Sequence, residues 1–167
     1  MNLSTATVFV AVLAAFIPAT GQAKSEDEAK IEALNAALIA AVNAKDVDAI
    51  MKVYAPNESL VIFDIIPPRQ YVGAKAFRKD WEDFLTLFKG PLKYEINDLQ
   101  VEADGTLGYS HSIQRVSGTD TKGQPVDLTW RDTAAYRKVG GNWVIVHEHG
   151  SVPVDLATGK PDLASKP

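Results

Sequence analysis

The sequence predicts an α+β domain in which helices pack on one face of a curved, mostly antiparallel sheet of about six strands. Apolar residues recur at helical spacing in the first half of the chain, but alternate with polar residues in the second half. Asp104-Gly105 and Gly140-Gly141 separate long alternating segments, as turn residues do in β-hairpins. Helices followed by antiparallel strands are typical of an α+β fold.

Length, cysteine content and net charge exclude several kinds of protein site and partner. The chain has 167 residues, of which 46% are hydrophobic, and this length favours one domain. The absence of cysteine excludes disulfides, thiol nucleophiles and thiolate metal sites. The net charge of −4 argues against nucleic acid or anionic lipid as a partner.

The first apolar segment has the features of a signal peptide. Residues 6–17 are nearly all apolar, and twelve residues are too few to span a bilayer. Pro18 ends the run, and small residues then precede Lys24. We expect cleavage after Ala23, so that residues 1–23 are removed and the mature protein is exported to a periplasmic or extracellular space, with no membrane contact.

Two helices open the mature chain. Ser25 and Glu28 form a capping-box pattern at the start of an amphipathic helix predicted over residues 26–44. Asp46 can cap a second, shorter helix, which Pro56 ends.

Two short strands and an aromatic helix follow. Residues 59–64 are β-branched and apolar, and Pro67-Pro68 forces a turn before a return strand over residues 70–72. A third helix is predicted over residues 74–89, ended by Gly90-Pro91.

Alternation then predicts four long strands over residues 92–103, 106–118, 124–138 and 142–152. The polar, proline-containing residues 157–167 are expected to form a flexible tail. The folded domain is therefore predicted to span residues 24–156.

Three segments resemble a known family. They are Lys45-Asp46-Val47 through Asp64, Tyr71-Val72-Gly73 with the aromatic residues that follow, and Arg131-Asp132-Thr133 with residues 141–151. Together they resemble SnoaL-like, ketosteroid-isomerase-like proteins of the nuclear transport factor 2-like fold. The third segment is also similar to the association domain of calcium/calmodulin-dependent kinases, which oligomerises.

The resemblance implies a cone with an apolar pocket at its wide end. In ketosteroid isomerases an aspartate in that pocket moves a proton between two carbons, while a tyrosine and a protonated acid stabilise the enolate. It therefore implies a small hydrophobic ligand, no cofactor, and self-association as a homodimer or higher oligomer. One fold hosts many activities, so function has to be argued from the site.

Asp64 is the first candidate catalytic residue. It is the single acid in an apolar segment that runs from Leu60 to Ile66, and it matches the position of the isomerase base. Desolvation would raise its pKa toward the range that a general base needs. The alternative is a structural aspartate that caps the Pro67-Pro68 turn.

Asp132 is the second candidate, because the resemblance places the second acid of the isomerases near it. Its alternative role is that of a cross-strand partner. The isomerase tyrosine would fall near Leu38, which has no hydroxyl. Tyr54, Tyr71 or Tyr109 are the residues that could replace it.

His147 and His149 stand two apart on a predicted strand and share a face. With His111 they could in principle hold a metal, but the pattern favours a hydrogen-bonded structural pair, and no metal site is predicted.

The last hairpin has two possible registers. A two-residue turn at Gly140-Gly141 would set Asp132 opposite His149. A bulged, three-residue loop would set Thr133 opposite His149 and direct Asp132 and Glu148 toward the pocket. We favour the second register.

The remaining candidates are pocket residues. Gln114 stands where association domains carry a pocket arginine. The aromatic residues Phe77 and Trp81 could line the pocket or belong to the core. The full set of candidate pocket residues is Tyr54, Tyr71, Phe77, Trp81, His111, Gln114, Arg131, Glu148 and His149.

Three functions are consistent with these residues. The first is cofactor-free proton transfer or cyclisation on a small hydrophobic carbonyl compound, with Asp64 as the base and Asp132 or Glu148 assisting. The second is a pocket that binds a small ligand without turnover. The third is an oligomerisation module that uses the outer face of the sheet.

Overall fold

The computed structural model describes residues 24–165. The predicted signal peptide at residues 1–23 lies outside the described residues. Within residues 24–165, the helices are too short or too polar to span a lipid bilayer.

Three helices pack on one six-stranded sheet, which confirms the α+β prediction. The elements in chain order are α1 (Glu26–Asn43), α2 (Val47–Met51), β1 (Val61–Phe63), β2 (Tyr71–Val72), α3 (Ala74–Thr86), β3 (Phe88–Asp104), β4 (Leu107–Asp120), β5 (Pro125–Val139) and β6 (Asn142–Ser151). The strand order is β2-β1-β6-β5-β4-β3. The pairing of β1 with β6 is parallel, whereas the other neighbouring strands are antiparallel.

The start of α1 is fixed by local and long-range hydrogen bonds. The Ser25 hydroxyl accepts the Glu28 N–H at 3.1 Å, and the Glu28 carboxylate accepts the Ser25 N–H at 2.7 Å, so the predicted capping box is present. In the same turn the Asp27 carboxylate accepts hydrogen bonds from Lys138 Nζ at 2.7 Å and Trp143 Nε1 at 3.0 Å. These bonds anchor the helix start to the β5–β6 hairpin.

Helix α3 ends three residues before the predicted boundary. Phe88 is paired with Asp120 on β4, and the Thr121 N–H donates to the Leu87 carbonyl oxygen at 3.1 Å. Strand pairing therefore replaces the last turn of the helix. The register of β3 against β4 shifts between Phe88 and Leu92, so the strand continues past Gly90-Pro91.

Alternation along β4 and β5 gives the sheet one buried face and one exposed face. Ser112, Gln114 and Val116 on β4 are buried beside Asp132 and Ala134 on β5, while the residues between them point to the other side. Several polar side chains therefore face the helices.

The β5–β6 hairpin combines features of both predicted registers. Val139 pairs with Asn142 across a two-residue turn, but the register shifts further along, where Ala135 pairs with His147 and Tyr136 with Ile145. The extra residue on β6 is a β-bulge, which reverses the facing of every later residue on that strand.

Beyond the bulge Thr133 lies opposite His149, as in the favoured register. The register prediction is confirmed, although a bulge within the strand produces it rather than a longer loop.

The segment after β6 differs from the predicted flexible tail. The Asp162 N–H donates to the Pro153 carbonyl oxygen at 2.8 Å, and the Thr129 N–H donates to the Leu163 carbonyl oxygen at 3.0 Å. Strand β6 ends at Ser151, opposite Arg131, so it does not extend far enough to pair with Thr129. The Leu163 carbonyl oxygen, in the segment that follows β6, accepts the Thr129 N–H instead.

The connection from β2 to α3 depends on a glycine. Gly73 has φ +86° and ψ 148°, a region that is essentially restricted to glycine, and a Cβ there would lie 2.4 Å from the Glu58 carboxylate. We expect Gly73→Ala to lower the free energy of unfolding by about 1–3 kcal/mol, measured by denaturant titration.

Gly123→Ala is the matched control, because Gly123 also has a positive φ but its Cβ would meet open space. An equal loss of unfolding free energy in Gly73→Ala and Gly123→Ala would show that the Glu58 carboxylate does not crowd a side chain at residue 73.

Candidate active site

A cavity of about 150 Å³ lies between α3 and the buried face of the sheet. Its walls are mostly apolar, and the main contributors are Ile62, Phe77, Trp81, Phe84, Leu128 and Trp130. Polar side chains also line it, namely Asp64, Asp80, Tyr94, Gln114 and Glu148. A cavity of this volume has room for a ligand of about the size of a benzene ring.

The strand register places two acids on either side of Gly150. Asp132 pairs with Gly150, and Asp64 follows Phe63, which pairs with His149. Asp64, Gly150 and Asp132 thus succeed one another on three adjacent strands. Their spacing puts the Asp64 and Asp132 backbones about 10 Å apart. A Cβ on Gly150 would lie 3.0 Å from Ile65 Cγ2, so glycine at this position makes room for the Ile65 side chain.

Asp64 lies at the end of β1, half-buried, with its side chain in the cavity lining. The carboxylate accepts the Ile65 N–H, as a turn-capping aspartate would. Burial, assisted by the neighbouring Asp80 carboxyl group, raises the pKa of Asp64 to about 6. Capping and proton transfer are therefore compatible roles for this residue.

Glu148 is the second acid in the cavity wall. The Tyr54 hydroxyl donates to Glu148 Oε2 at 2.9 Å, and the Asp132 carboxyl group is also a hydrogen-bonding neighbour. Burial raises the pKa of Glu148 to about 7, although these two hydrogen bonds oppose the rise. The group therefore titrates close to neutral pH.

Asp132 lies behind Glu148 rather than in the cavity lining. It is only 4% exposed, and its Oδ1 atom has no hydrogen-bond partner among the described residues. Burial and the adjacent Glu148 carboxyl group raise the pKa of Asp132 well above its usual range. These surroundings favour the protonated form of Asp132, which can donate a hydrogen bond to Glu148.

A tyrosine and a glutamine add hydrogen-bonding capacity at the cavity wall. The Tyr94 hydroxyl donates to Gln114 Oε1 at 2.6 Å, and both residues line the cavity. Because the amide oxygen is occupied, the amide nitrogen of Gln114 is the donor that this residue can offer to a ligand.

Comparison with known proteins identifies the family. The sequence model of the SnoaL-like domain matches residues 31–155. The chain belongs to the SnoaL-like domain family. No curated protein matches the chain.

Solved structures agree with this assignment. A nuclear transport factor 2-like protein of unknown function from Pseudomonas putida is 33% identical, with a TM-score of 0.75, covering 84% of this chain and 96% of that chain. A candidate calcium/calmodulin-dependent protein kinase II association domain from Xanthomonas campestris is 26% identical, with a TM-score of 0.60, covering 86% and 96%.

A ketosteroid isomerase-like protein from Erwinia carotovora is 20% identical, with a TM-score of 0.63, covering 78% of this chain and all of that chain. At that identity the likeness shows the fold alone.

The tyrosine positions distinguish this SnoaL-like domain from the isomerase pattern. Leu38 is buried in the apolar core and offers no hydroxyl, whereas Tyr54, three residues after α2, reaches Glu148. Tyr71 lies beside Asp80, and Tyr109 is 44% exposed.

Three predicted pocket residues of the SnoaL-like domain lie on the other face of the sheet. His111, Arg131 and His149 are exposed and do not line the cavity, because they occupy the outward positions of their strands. Their placement as pocket residues is corrected accordingly.

The histidines of the last strand instead pack against Phe63. The His149 and Phe63 ring centroids are 5.5 Å apart, and the His147 ring lies 5.0 Å from the same phenyl ring. His147 Nδ1 also lies 2.7 Å from the Val61 carbonyl oxygen. In residues 24–165 there is no group of three or more His, Cys, Asp or Glu side chains arranged to hold a metal ion.

The sequence reasoning missed Asp80. This half-buried acid lines the cavity of the SnoaL-like domain from α3, and burial raises its pKa. The signal was present in the sequence, because Asp80 lies between Phe77 and Phe84 on the apolar stripe of an amphipathic helix.

The raised pKa values make the stability of the domain depend on pH. A carboxyl group whose pKa is higher in the folded than in the unfolded state stabilises the fold fully below the unfolded pKa, and this stability is lost as pH rises through the folded pKa. We therefore expect the free energy of unfolding to fall between pH 4 and pH 8, through the values of about 6 for Asp64 and about 7 for Glu148.

Asp64→Asn keeps the oxygen that accepts the Ile65 N–H but removes the charge. We expect it to flatten the pH profile and to be more stable than wild type at pH 8, by on the order of 2 kcal/mol. Denaturant titrations at a series of pH values measure this, with the exposed Asp104→Asn variant as control. A wild-type stability that increases from pH 5 to pH 8 would contradict the electrostatic account.

Proposed function

We propose that this SnoaL-like domain catalyses cofactor-free proton transfer on a small, neutral carbonyl compound. The observation that supports this is the arrangement of acids around the cavity. On one side of Gly150 Asp64 has a pKa of about 6, while on the other side Glu148 has a pKa of about 7 and the pKa of Asp132 is raised well above its usual range. Pairs of acids with separated pKa values are suited to acid–base chemistry.

Asp64 has the properties of the general base. With a pKa of about 6 it is mostly ionised at neutral pH, yet it is far more basic than an exposed aspartate. Its carboxylate would take a proton from the carbon next to the carbonyl group. The C–H electron pair moves toward the carbonyl oxygen, and an enolate forms.

Glu148 has the properties of the group that stabilises the enolate oxygen. It lines the cavity, it titrates near neutral pH, and it lies against the Tyr54 hydroxyl and the protonated Asp132. Donation of a hydrogen bond from the Glu148 carboxyl group would stabilise the negative charge. Return of the proton from Asp64 to the same or another carbon would complete exchange or isomerisation.

The cavity restricts the class of ligand. The residues that line it in the described part of the chain include no lysine, arginine or histidine, so a carboxylate ligand would meet acids without a countercharge. A volume of about 150 Å³ suits a single ring or a short chain, and is below the size of usual drug-sized pockets. We therefore assign the ligand to small, neutral, mostly apolar carbonyl compounds.

The descriptions of two structural neighbours are compatible with this chemistry. One is the ketosteroid isomerase-like protein, and another is a candidate dehydratase from Streptomyces avermitilis, 13% identical with a TM-score of 0.63. Export after cleavage at Ala23, and self-association through the outer face of the sheet, are further proposals that rest on the apolar residues 6–17 and on the family resemblance.

Deuterium exchange on a one-ring ketone tests the proposed reaction without knowledge of the natural substrate. We expect the mature domain to accelerate exchange at the carbons next to the carbonyl group of cyclohexanone in D2O, followed by proton NMR. The rate should rise with pH through about 6, as Asp64 ionises, and fall above about 7, as Glu148 loses the proton that it donates. Asp64→Asn should lower it by about 10²–10⁴-fold, which is the range for loss of a general base.

Asp104→Asn removes an exposed carboxylate in the β3–β4 hairpin and should exchange at the wild-type rate. Wild-type rates in Asp64→Asn would reject Asp64 as the base. Saturable binding of cyclohexanone without any acceleration would favour a protein that binds its ligand without turnover.

A further inference from the structure

Helix α3 brings a second carboxyl group against the proposed base. Asp80 and Asp64 both line the cavity, and their carboxyl groups are hydrogen-bonding neighbours. A hydrogen bond between two carboxyl groups requires a proton on one of them, because an ionised carboxylate can only accept. This hydrogen bond raises the pKa of Asp64 but opposes the rise at Asp80, so the proton lies on Asp64 and the Asp80 carboxylate accepts it. The hydrogen-bonded pair therefore forms when Asp64 has taken up a proton.

The surroundings of Asp80 differ from those of an exposed helix aspartate. The side chain is half-buried, whereas Asp83, one turn later, is exposed and paired with Lys79. The Tyr71 hydroxyl, presented by β2, lies beside Asp80, and it also lies 3.4 Å from the Pro67 carbonyl oxygen. Asp80 is thus held between a phenol and the carboxyl group of Asp64.

We propose that Asp80 is a positioning residue that shares one proton with Asp64 and holds that carboxyl group toward the ligand. The inference rests on the proposed function of Asp64, because it assigns Asp80 a role only through that residue. Asp80 would keep Asp64 more basic than burial alone makes it. The pair would pass a proton between its members, while the α-carbon of the ligand exchanges with Asp64 alone.

Other ionisable groups also surround the pair formed by Asp64 and Asp80. Glu148 on β6 and Asp132 on β5 lie across the cavity floor, and both belong to the same network of raised pKa values as Asp64. Tyr71 approaches Asp80 from β2, and Asp83 acts on Asp80 along α3. The leading electrostatic contribution to the raised pKa of Asp64 nevertheless comes from Asp80.

Carbon-13 NMR of aspartate-labelled protein measures the pair directly. The Asp64 carboxyl resonance is identified by its absence in Asp64→Asn. In wild type it should titrate with a midpoint of about 6 and with a second inflection from its partner. In Asp80→Asn the midpoint should move to lower pH in a single step, because the like charge is removed and the asparagine amide can donate to Asp64.

The pH profile of cyclohexanone exchange provides the functional measurement. In Asp80→Asn the acid limb should move to lower pH by the same interval as the Asp64 midpoint, with exchange still detectable. Asp83→Asn is the matched control, because it removes a carboxylate from the same helix that lies outside the pair, and its Asp64 midpoint should stay near the wild-type value. Asp80→Glu restores a carboxyl group and should return the midpoint toward wild type.

An unchanged Asp64 midpoint in folded Asp80→Asn protein would overturn the proposal, as would an equal shift in Asp83→Asn. The failure of the proposed function is distinguishable from this result. If the wild-type domain does not accelerate exchange but Asp80→Asn still lowers the Asp64 midpoint, the carboxyl pair is established and the proposed catalysis is rejected.

Discussion

The properties of the site depend on the burial of several carboxyl groups beside one apolar cavity, whose lining within residues 24–165 includes no basic side chain. Asp64, Asp80 and Glu148 line the cavity, and Asp132 lies directly behind Glu148. In an apolar site an unpaired carboxylate is costly, so these groups shift their pKa values upward rather than ionise as they would in water. The same cost that makes the fold less stable at high pH makes the acids useful for proton transfer.

A small number of backbone features bring these acids to the buried side of the sheet. The bulge on β6 reverses the facing of the strand, and Glu148 thereby enters the buried side while His149 leaves it. Gly150, between Asp64 and Asp132, makes room for the side chain of Ile65. Without the bulge, a histidine would replace the glutamate at this wall, and the electrostatic character of the cavity would be different.

Most of the fold could be predicted from the sequence because its signals are local. The capping box at Ser25, the turn glycines and the alternation of β4 and β5 each specify their own element. The boundary of α3 could not be predicted in the same way, because pairing of Phe88 with Asp120 is a contact between residues distant in sequence.

The candidate site was less predictable than the fold, because its geometry depends on contacts between residues that are distant in sequence. Asp64 stood out as a single acid in an apolar segment, but Asp80 looked like an ordinary polar residue of a helix. The outward positions of His111, Arg131 and His149 follow from the pairing of three strands, which the sequence of one strand does not specify.

The titration of the Asp64 carboxyl carbon in the wild-type mature domain tests the central claim most directly. A buried base beside other acids should titrate with a midpoint of about 6. A midpoint near 3.9, the value of an aspartate in water, would contradict the account, because it would mean that water or an unrecognised cation already stabilises the charge at this position.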